Sequence, residues 1–448
     1  MKQKISLIGA GTGTFSINLI KDLCLTKGLD GSTISLMDID ETRLDAVHRF
    51  CTRYAQEVGR SFRIEKTTDC RECLRDADFV INSALVGGYD RLRRGWAIAK
   101  KWGYRFGGSF HVMHDEAFWT NFGQLQLMEE IYLEMQELCP DAWYVMVANP
   151  VMAAVTYFCR KYPGIKLVGM CHGYNGVFRM CDTIGLDRSK ISYEIPGVNH
   201  FVWLNRFTYD GQDGMPLIQA WMEQHAEDYF KTIGPSNEFS PKIIDLYRRF
   251  GRMPIGDTGT AGGGSWGWEY HTDADTQRRW NEDPDLWYDV IFSINQQQIQ
   301  SIIDAAYDDS VCLSQQFSTD FSDEPMIPLI EALACDHGQI VIVNVLNDKG
   351  YVEGVPTDFE VEIPAWVDKG GIHGIHTQPL PKSLQAYMMR DRIAPVEVEL
   401  EAYITRSRQR LVDLVMMDPW TKTREQAEGL VNEILQMPGL EAMQAYYQ

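Results

Sequence analysis

A chain of 448 residues with 45% hydrophobic and 23% charged side chains has the make-up of an ordinary globular protein, which excludes collagen-like, disordered and disulfide-scaffold classes. Its 62 acidic residues outnumber 42 basic ones, for a formal net charge of -20, so phosphate backbones and anionic membrane surfaces are repelled. Neither nucleic acid nor membrane is expected as a partner.

In chain order, Ile5 to Ile8 is a β-branched apolar run that ends in Gly9-Ala10-Gly11-Thr12-Gly13-Thr14. Phe15, Leu19, Ile20 and Leu23 then recur at helical spacing, which reads as strand, glycine turn, helix rather than as a signal peptide. A second strand, Thr33 to Met37, ends at Asp38, and a third is expected over Phe79 to Asn82. A helix around Asn121 to Leu138, a strand from Trp143 to Val147, a helix after Pro150 and a strand from Lys166 to Met170 continue the alternation. Strands alternating with helices predict an α/β fold: a doubly wound, parallel, Rossmann-type sheet over residues 1–195. Residues 196–448 change to mixed strands and long helices and predict an α+β domain for substrate, metal and oligomer contacts. Its clearest strands are Gln339 to Val345 and Glu360 to Ile363, with a helical stretch from Pro395 to Met416. The glycines at 262 to 264 read as a loop tip.

Ten cysteines without paired spacing suit free thiols in a reducing compartment, so a cytoplasmic protein is expected. Cys70 and Cys73 form a CxxC, but Thr67-Thr68-Asp69 before them reads as a helix start, and helical spacing explains the pair. No apolar run is long enough to span a bilayer, since Trp143 to Cys159 is broken at Asn149-Pro150.

Gly9-Ala10-Gly11-Thr12 lets the backbone approach a pyrophosphate, which would sit on the N-terminus of the following helix. Asp38 at the end of the second strand can accept hydrogen bonds from ribose hydroxyls, and an acid there selects NAD over NADP. The third glycine of the usual fingerprint is replaced by Thr14. Asn149 and Cys171 each follow a strand, at the edge where open α/β sheets bind ligands. Cys171 and His200 match no local zinc motif, yet a thiolate and an imidazole can share one divalent metal; structural roles in the core are the alternative. His172, Asp115 and Asp257 are candidate proton carriers or caps of helices and turns. Arg91, Arg93 and Arg94 offer either an anion site or a solvated helix face, and Trp266, Trp268 and Tyr270 either a sugar platform or core. His373 and His376 read as turn residues.

Together these residues carry a resemblance. Ile8-Gly9-Ala10-Gly11, Leu36-Met37-Asp38-Ile39-Asp40, Asp78-Phe79-Val80-Ile81-Asn82, Ala148-Asn149-Pro150, Cys171-His172-Gly173, Gly197-Val198-Asn199-His200, Met253 to Thr258 and Val361-Glu362-Ile363-Pro364 make the chain similar, over nearly its full length, to the NAD- and metal-dependent glycosidases of glycoside hydrolase family 4. The likeness is greatest to the α-glucosidase and α-galactosidase branch that acts on unphosphorylated sugars. Phospho-glycosidase members carry an aspartate after the metal cysteine, where this chain has His172. The resemblance implies a lactate/malate dehydrogenase-like nucleotide domain, bound NAD and Mn2+ or another divalent transition metal, and a homodimer or homotetramer. It implies hydrolysis of α-glycosides by C3 oxidation, C2 deprotonation, elimination and water addition. It makes Cys171 and His200 metal ligands, Asn149 a substrate contact, His172 the candidate proton donor and Asp257 the candidate C2 base, and Asp115 is taken as a further substrate contact. Three alternatives stay open: the same chemistry on a uronide or sulfonated sugar, a simple NAD-dependent dehydrogenase, and a non-catalytic NAD sensor.

Overall fold

Six strands build the first half, five of them as expected: β1 (Lys4–Ile8), β2 (Thr33–Met37), β3 (Arg63–Thr67), β4 (Phe79–Asn82), β5 (Trp143–Met146) and β6 (Leu167–Gly169). They appear in a computed structural model that describes residues 2–237, 239–260 and 267–448; the glycines at 262 to 264 and Trp266 lie outside the described residues. All pair in parallel, in the order β3-β2-β1-β4-β5-β6 of dinucleotide-binding folds. The inner strands are apolar without alternation because helices cover both faces, so that Ile5, Leu7, Val80, Ile81 and Val145 are completely buried. β3 was not expected from the sequence. It is an edge strand, and its Arg63, Glu65 and Lys66 leave no apolar run to read.

The sheet does not stop where the alternation does. β13 (Gln339–Leu346) joins β6 antiparallel through Asn344↔Gly169, and β14 (Glu360–Asp368) pairs β13 from Gln339↔Val367 to Leu346↔Glu360. Beyond β14 lie β8 (Gly197–Val198), β9 (Phe201–Leu204) and β12 (Met253–Pro254), with β15 (Gly371–Gly374) also on β14. That makes twelve strands among the described residues. A separate antiparallel sheet is formed by β7 (Ile191–Glu194), β10 (Arg206–Tyr209) and β11 (Gln212–Asp213). His373 lies in β15 rather than in a turn, and its Nε2 faces Asp368 at 3.3 Å.

The helical stretch expected over 395 to 416 is two helices, Ala394–Thr405 and Arg408–Met416. They part at Arg406, which has a φ of +56°, and Ser407 caps the second by accepting from Arg410 N. Cys70 and Cys73 do fall in one helix, Cys70–Leu74, capped by Asp69, and all ten cysteines are free.

These C-terminal helices hold the loop that precedes His114-Asp115-Glu116. Glu399 meets His111 Nε2 at 3.1 Å and accepts from Asn121 Nδ2 at 2.9 Å. Asp418 accepts from Ser109 N at 2.7 Å and Trp420 N at 2.8 Å. Burial pushes the Asp418 carboxyl up to about 7 from an ordinary 3.8, against both N–H donors. The folded chain therefore keeps a proton there that the unfolded chain releases. By linkage, stability present below the unfolded value is lost as pH rises toward 7. Asp418→Asn is expected to flatten the fall in Tm between pH 4.5 and 7, measured by calorimetry. An unchanged slope would show that the proton resides elsewhere.

Candidate active site

The carboxyl ends of the parallel strands meet at one edge of the sheet, and the glycine turn occupies it. Gly9, with a φ of +88°, accepts a backbone that a side chain could not, because an added Cβ would lie 2.6 Å from Ala84 N. Gly11 N donates to Asp38 Oδ2 at 2.7 Å, and a Cβ there would lie 2.7 Å from the same oxygen. Asp38 thus braces the turn from the end of β2. The helix Thr14–Leu25 begins behind it with no side-chain cap, which leaves its first N–H groups for an anion. Thr12 Oγ1 is buried without a partner. A pyrophosphate on this turn would satisfy both, so the residues present fit a dinucleotide.

A second group gathers across the same opening. His200 Nε2 lies 3.6 Å from Cys171 Sγ and 3.6 Å from Asp257 Oδ2, and the three donor atoms all fall within 4.8 Å of one another. Cys171 follows β6, His200 sits between β8 and β9, and Asp257 is in the short turn Gly256–Thr258 after β12. Sulfur, imidazole and carboxylate form a donor set for a divalent transition metal, with positions left for substrate oxygens. Burial, reinforced by Glu362, pushes the Cys171 thiol up to about 11. A cation at the sulfur reverses that order, since a coordinating thiol is deprotonated. Burial works against charge on His200, yet Cys171, Glu116 and Asp257 outweigh it and raise its pKa well above the ordinary value. So many negative groups around one imidazole call for a cation, and the residues fit one.

Behind the cluster, Glu360 and Glu362 of β14 are both buried. Asn199 N donates to Glu360 Oε2 at 3.2 Å, and Asn199 Nδ2 donates to Glu362 Oε2 at 3.1 Å. Burial raises both carboxyls, Glu362 to about 7, which lets two acids share the space without two charges.

Asn149 Nδ2 donates to Asp115 Oδ2 at 3.4 Å, and Asp115 Oδ1 meets His114 Nδ1 at 2.6 Å. Burial disfavours the Asp115 charge, but His114 and then His200 more than compensate, and the carboxyl stays below its ordinary value. His172 Nδ1 faces Glu324 Oε1 at 3.4 Å, and this carboxylate pushes the imidazole up to about 9. Nothing in the sequence marked Glu324, which arrives on a loop that Asp22 fixes by accepting from Ser322 N at 2.8 Å.

One cavity of about 370 Å³ joins the two groups. It is lined by Thr12 of the glycine turn and also by Asp115, Asn149, Cys171, His172, His200, Asp257 and Glu324. Tyr89, Trp287 and Met326 add apolar wall that sequence reasoning did not single out, because their spacing is that of core residues. The arginine cluster is not part of it. Arg93 pairs with Asp289 at 2.9 Å and lies 5.0 Å from the Phe292 ring centre, while Arg94 pairs with Asp90 at 3.3 Å. Arg91 packs under Gly87. Trp268 and Tyr270 also lie elsewhere. Tyr270 is buried and donates to Asp245 Oδ2 at 2.6 Å, and Trp268 packs edge-on to Trp420.

Residues 4–185 match the family 4 glycosyl hydrolase model, and residues 195–421 match that family's C-terminal domain. An α-galactosidase of Bacillus subtilis (strain 168) is 31% identical over 227 residues, which is 48% of this chain and 50% of that one. An α-glucosidase of Erwinia rhapontici is 25% identical over 421 residues, covering 85% and 86% of the two chains. Among solved structures, a 6-phospho-α-glucosidase from gut microorganisms, in complex with NAD and Mn2+, superimposes with a TM-score of 0.79 at 17% identity. It covers 100% of this chain and 99% of its own, a likeness of fold. No helix among the described residues is long and apolar enough to cross a membrane.

Proposed function

We propose, from the premise that this chain belongs to family 4 of the glycosyl hydrolases, that it is an NAD- and Mn2+-dependent glycosidase that cleaves α-glycosides of neutral, unphosphorylated sugars. The observation that carries the reading is the single cavity shared by the glycine turn and the cluster of Cys171, His200 and Asp257. Gly9, Ala10, Gly11, Thr12 and Asp38 hold the nucleotide, and Cys171 and His200 hold the metal. When bound, NAD would supply a reversible hydride acceptor for the sugar and Mn2+ a Lewis acid that acidifies its C–H bonds.

The side chains then divide the proton work. Asp257, 3.6 Å from the ligand nitrogen of His200, takes the proton from C2. His172, kept protonated by Glu324, gives a proton to the departing oxygen. Asn149 and Asp115 bind sugar hydroxyls, with the carboxylate held ready by His114. His172→Asn is expected to slow glycosides with an unactivated alcohol leaving group on the order of 10²-fold or more, and nitrophenyl glycosides much less. Equal losses on both would remove His172 as the acid.

Charge supports the neutral glycone. Asp115, Asp257 and Glu324 line the cavity, and no lysine or arginine does so among the described residues. The residues outside the described set include no lysine or arginine either. Arg179, whose charge acts on His172, is on an exposed helix face. A phosphate, uronate or sulfonate would meet these three carboxylates with no lysine or arginine in the lining to pair with it. We propose further that a division near residue 195 separates a nucleotide half from a substrate half, and that the protein is a cytoplasmic homodimer or homotetramer, the commonest closed assemblies.

The test is hydrolysis of nitrophenyl α-glucoside and α-galactoside in heavy water with NAD and Mn2+. Deuterium is expected at C2 of the released sugar, with no net NADH and no turnover after chelation. The 6-phosphates and the α-galacturonide are expected to be poor substrates. Cleavage with an unlabelled C2 would overturn the elimination route, and stoichiometric NADH would favour a dehydrogenase.

A further inference from the structure

We infer that two buried charged residues, Glu116 and Arg392, act as a positioning pair for His200, Glu116 on its ring and Arg392 on its backbone. This rests on the reading of Cys171 and His200 as the metal's ligands. His200 has a φ of +124°, a region that β-carbon-bearing residues rarely occupy and that persists only where the surroundings impose it. Two groups from distant parts of the chain do so. Glu116 Oε1, with 1% of its side chain exposed, lies 3.3 Å from His200 Nδ1. Arg392, completely buried, reaches the His200 carbonyl with Nη2 at 3.5 Å.

The ring contact has a chemical consequence. A carboxylate beside Nδ1 places the ring proton there, and Nε2 is left with its lone pair toward Cys171 and Asp257, 3.6 Å away on either side. Metal-binding histidines are commonly held this way, and loss of such a partner weakens metal binding. The backbone contact is equally directed. Arg392 lies 4.7 Å from the centre of the Phe110 ring and 5.9 Å from that of Phe201, the residue after His200, so two aromatic rings lie against its planar head. It belongs to a π-helical turn, Met389–Ile393, inserted between the helices Lys382–Met388 and Ala394–Thr405, a feature frequent at functional sites. Filling this space would need only apolar residues, whereas a carboxylate at a ring nitrogen and a guanidinium at a carbonyl orient a ligand.

The experiment titrates Mn2+ into nucleotide-free full-length protein and follows loss of the six-line resonance of aqueous Mn2+. NADH fluorescence measures nucleotide affinity in parallel. Glu116→Gln, which keeps the side-chain volume, is expected to weaken Mn2+ binding about 10- to 100-fold with NADH affinity within about twofold of wild type. Arg392→Lys, which keeps charge but loses the planar fork, is expected to weaken Mn2+ at least about fivefold with the same nucleotide control. Wild-type Mn2+ affinity in either variant overturns the pair. Parallel loss of Mn2+ and NADH binding also overturns it, because that result assigns the residues to the architecture alone. A wild-type protein that binds no Mn2+ would instead bring down the metal-centre reading, and this pair with it.

Discussion

Cys171→Ser is expected to lose Mn2+ binding at neutral pH and to lower kcat/KM for a nitrophenyl α-glycoside on the order of 10³-fold or more. A bound Lewis acid would supply several kcal/mol of charge stabilisation, and each 1.36 kcal/mol is about tenfold in rate. Serine keeps the place of the side chain after β6 but not its chemistry, because its hydroxyl does not ionise near neutrality. In wild type the thiol sits 3.6 Å from His200 Nε2 and accepts from Gly173 N at 3.3 Å, so the sulfur is aimed at the shared donor position by its own turn. The measurement pairs steady-state rates at saturating NAD with the manganese resonance titration. NADH affinity should hold, since Gly9, Gly11 and Asp38 are untouched. A serine variant that keeps wild-type turnover without binding metal would remove the metal from the mechanism.

The second large effect falls on Asp257. Asp257→Asn is expected to lower kcat by about 10²- to 10⁴-fold, the range of a positioned base. It should also abolish deuterium incorporation at C2 in heavy water. The carboxylate sits in the turn Gly256–Thr258, which Thr258 fastens to β9 by receiving Val202 N on its hydroxyl at 2.8 Å. Gly256 packs so closely on Gly173 that an added Cβ would lie 2.2 Å from the Gly173 carbonyl oxygen, so the turn has one seat. Manganese affinity decides what the loss means. Binding within about threefold of wild type is the expected result for a base. A parallel loss of metal would make Asp257 the third ligand and move the base elsewhere.

Reading the chain by residue type located much of this site, for a topological reason. In a parallel sheet every strand ends at the same edge, so Gly9 after β1, Asp38 after β2, Asn149 after β5 and Cys171 after β6 are neighbours once the alternation is recognised. The second half gave less away. Its strands extend the first half's sheet through a single pair, Asn344↔Gly169, and no periodicity announces such a junction. The edge strand β3 was missed because charge on an exposed edge hides the alternation. Glu116 stands beside Asp115, which residue type singles out, yet only its distance to His200 separates it from its neighbours.

Local order along the chain, then, was enough for the glycine turn and for a thiol and amide at strand ends, since hydrogen-bonding pattern and apolar period are properties of adjacent residues. The convergence of His200, Asp257, Glu324 and Arg392 came from packing alone. Those side chains lie on separate elements far apart in sequence, and burial of apolar faces, blind to which charges it gathers, set the distances at which they work.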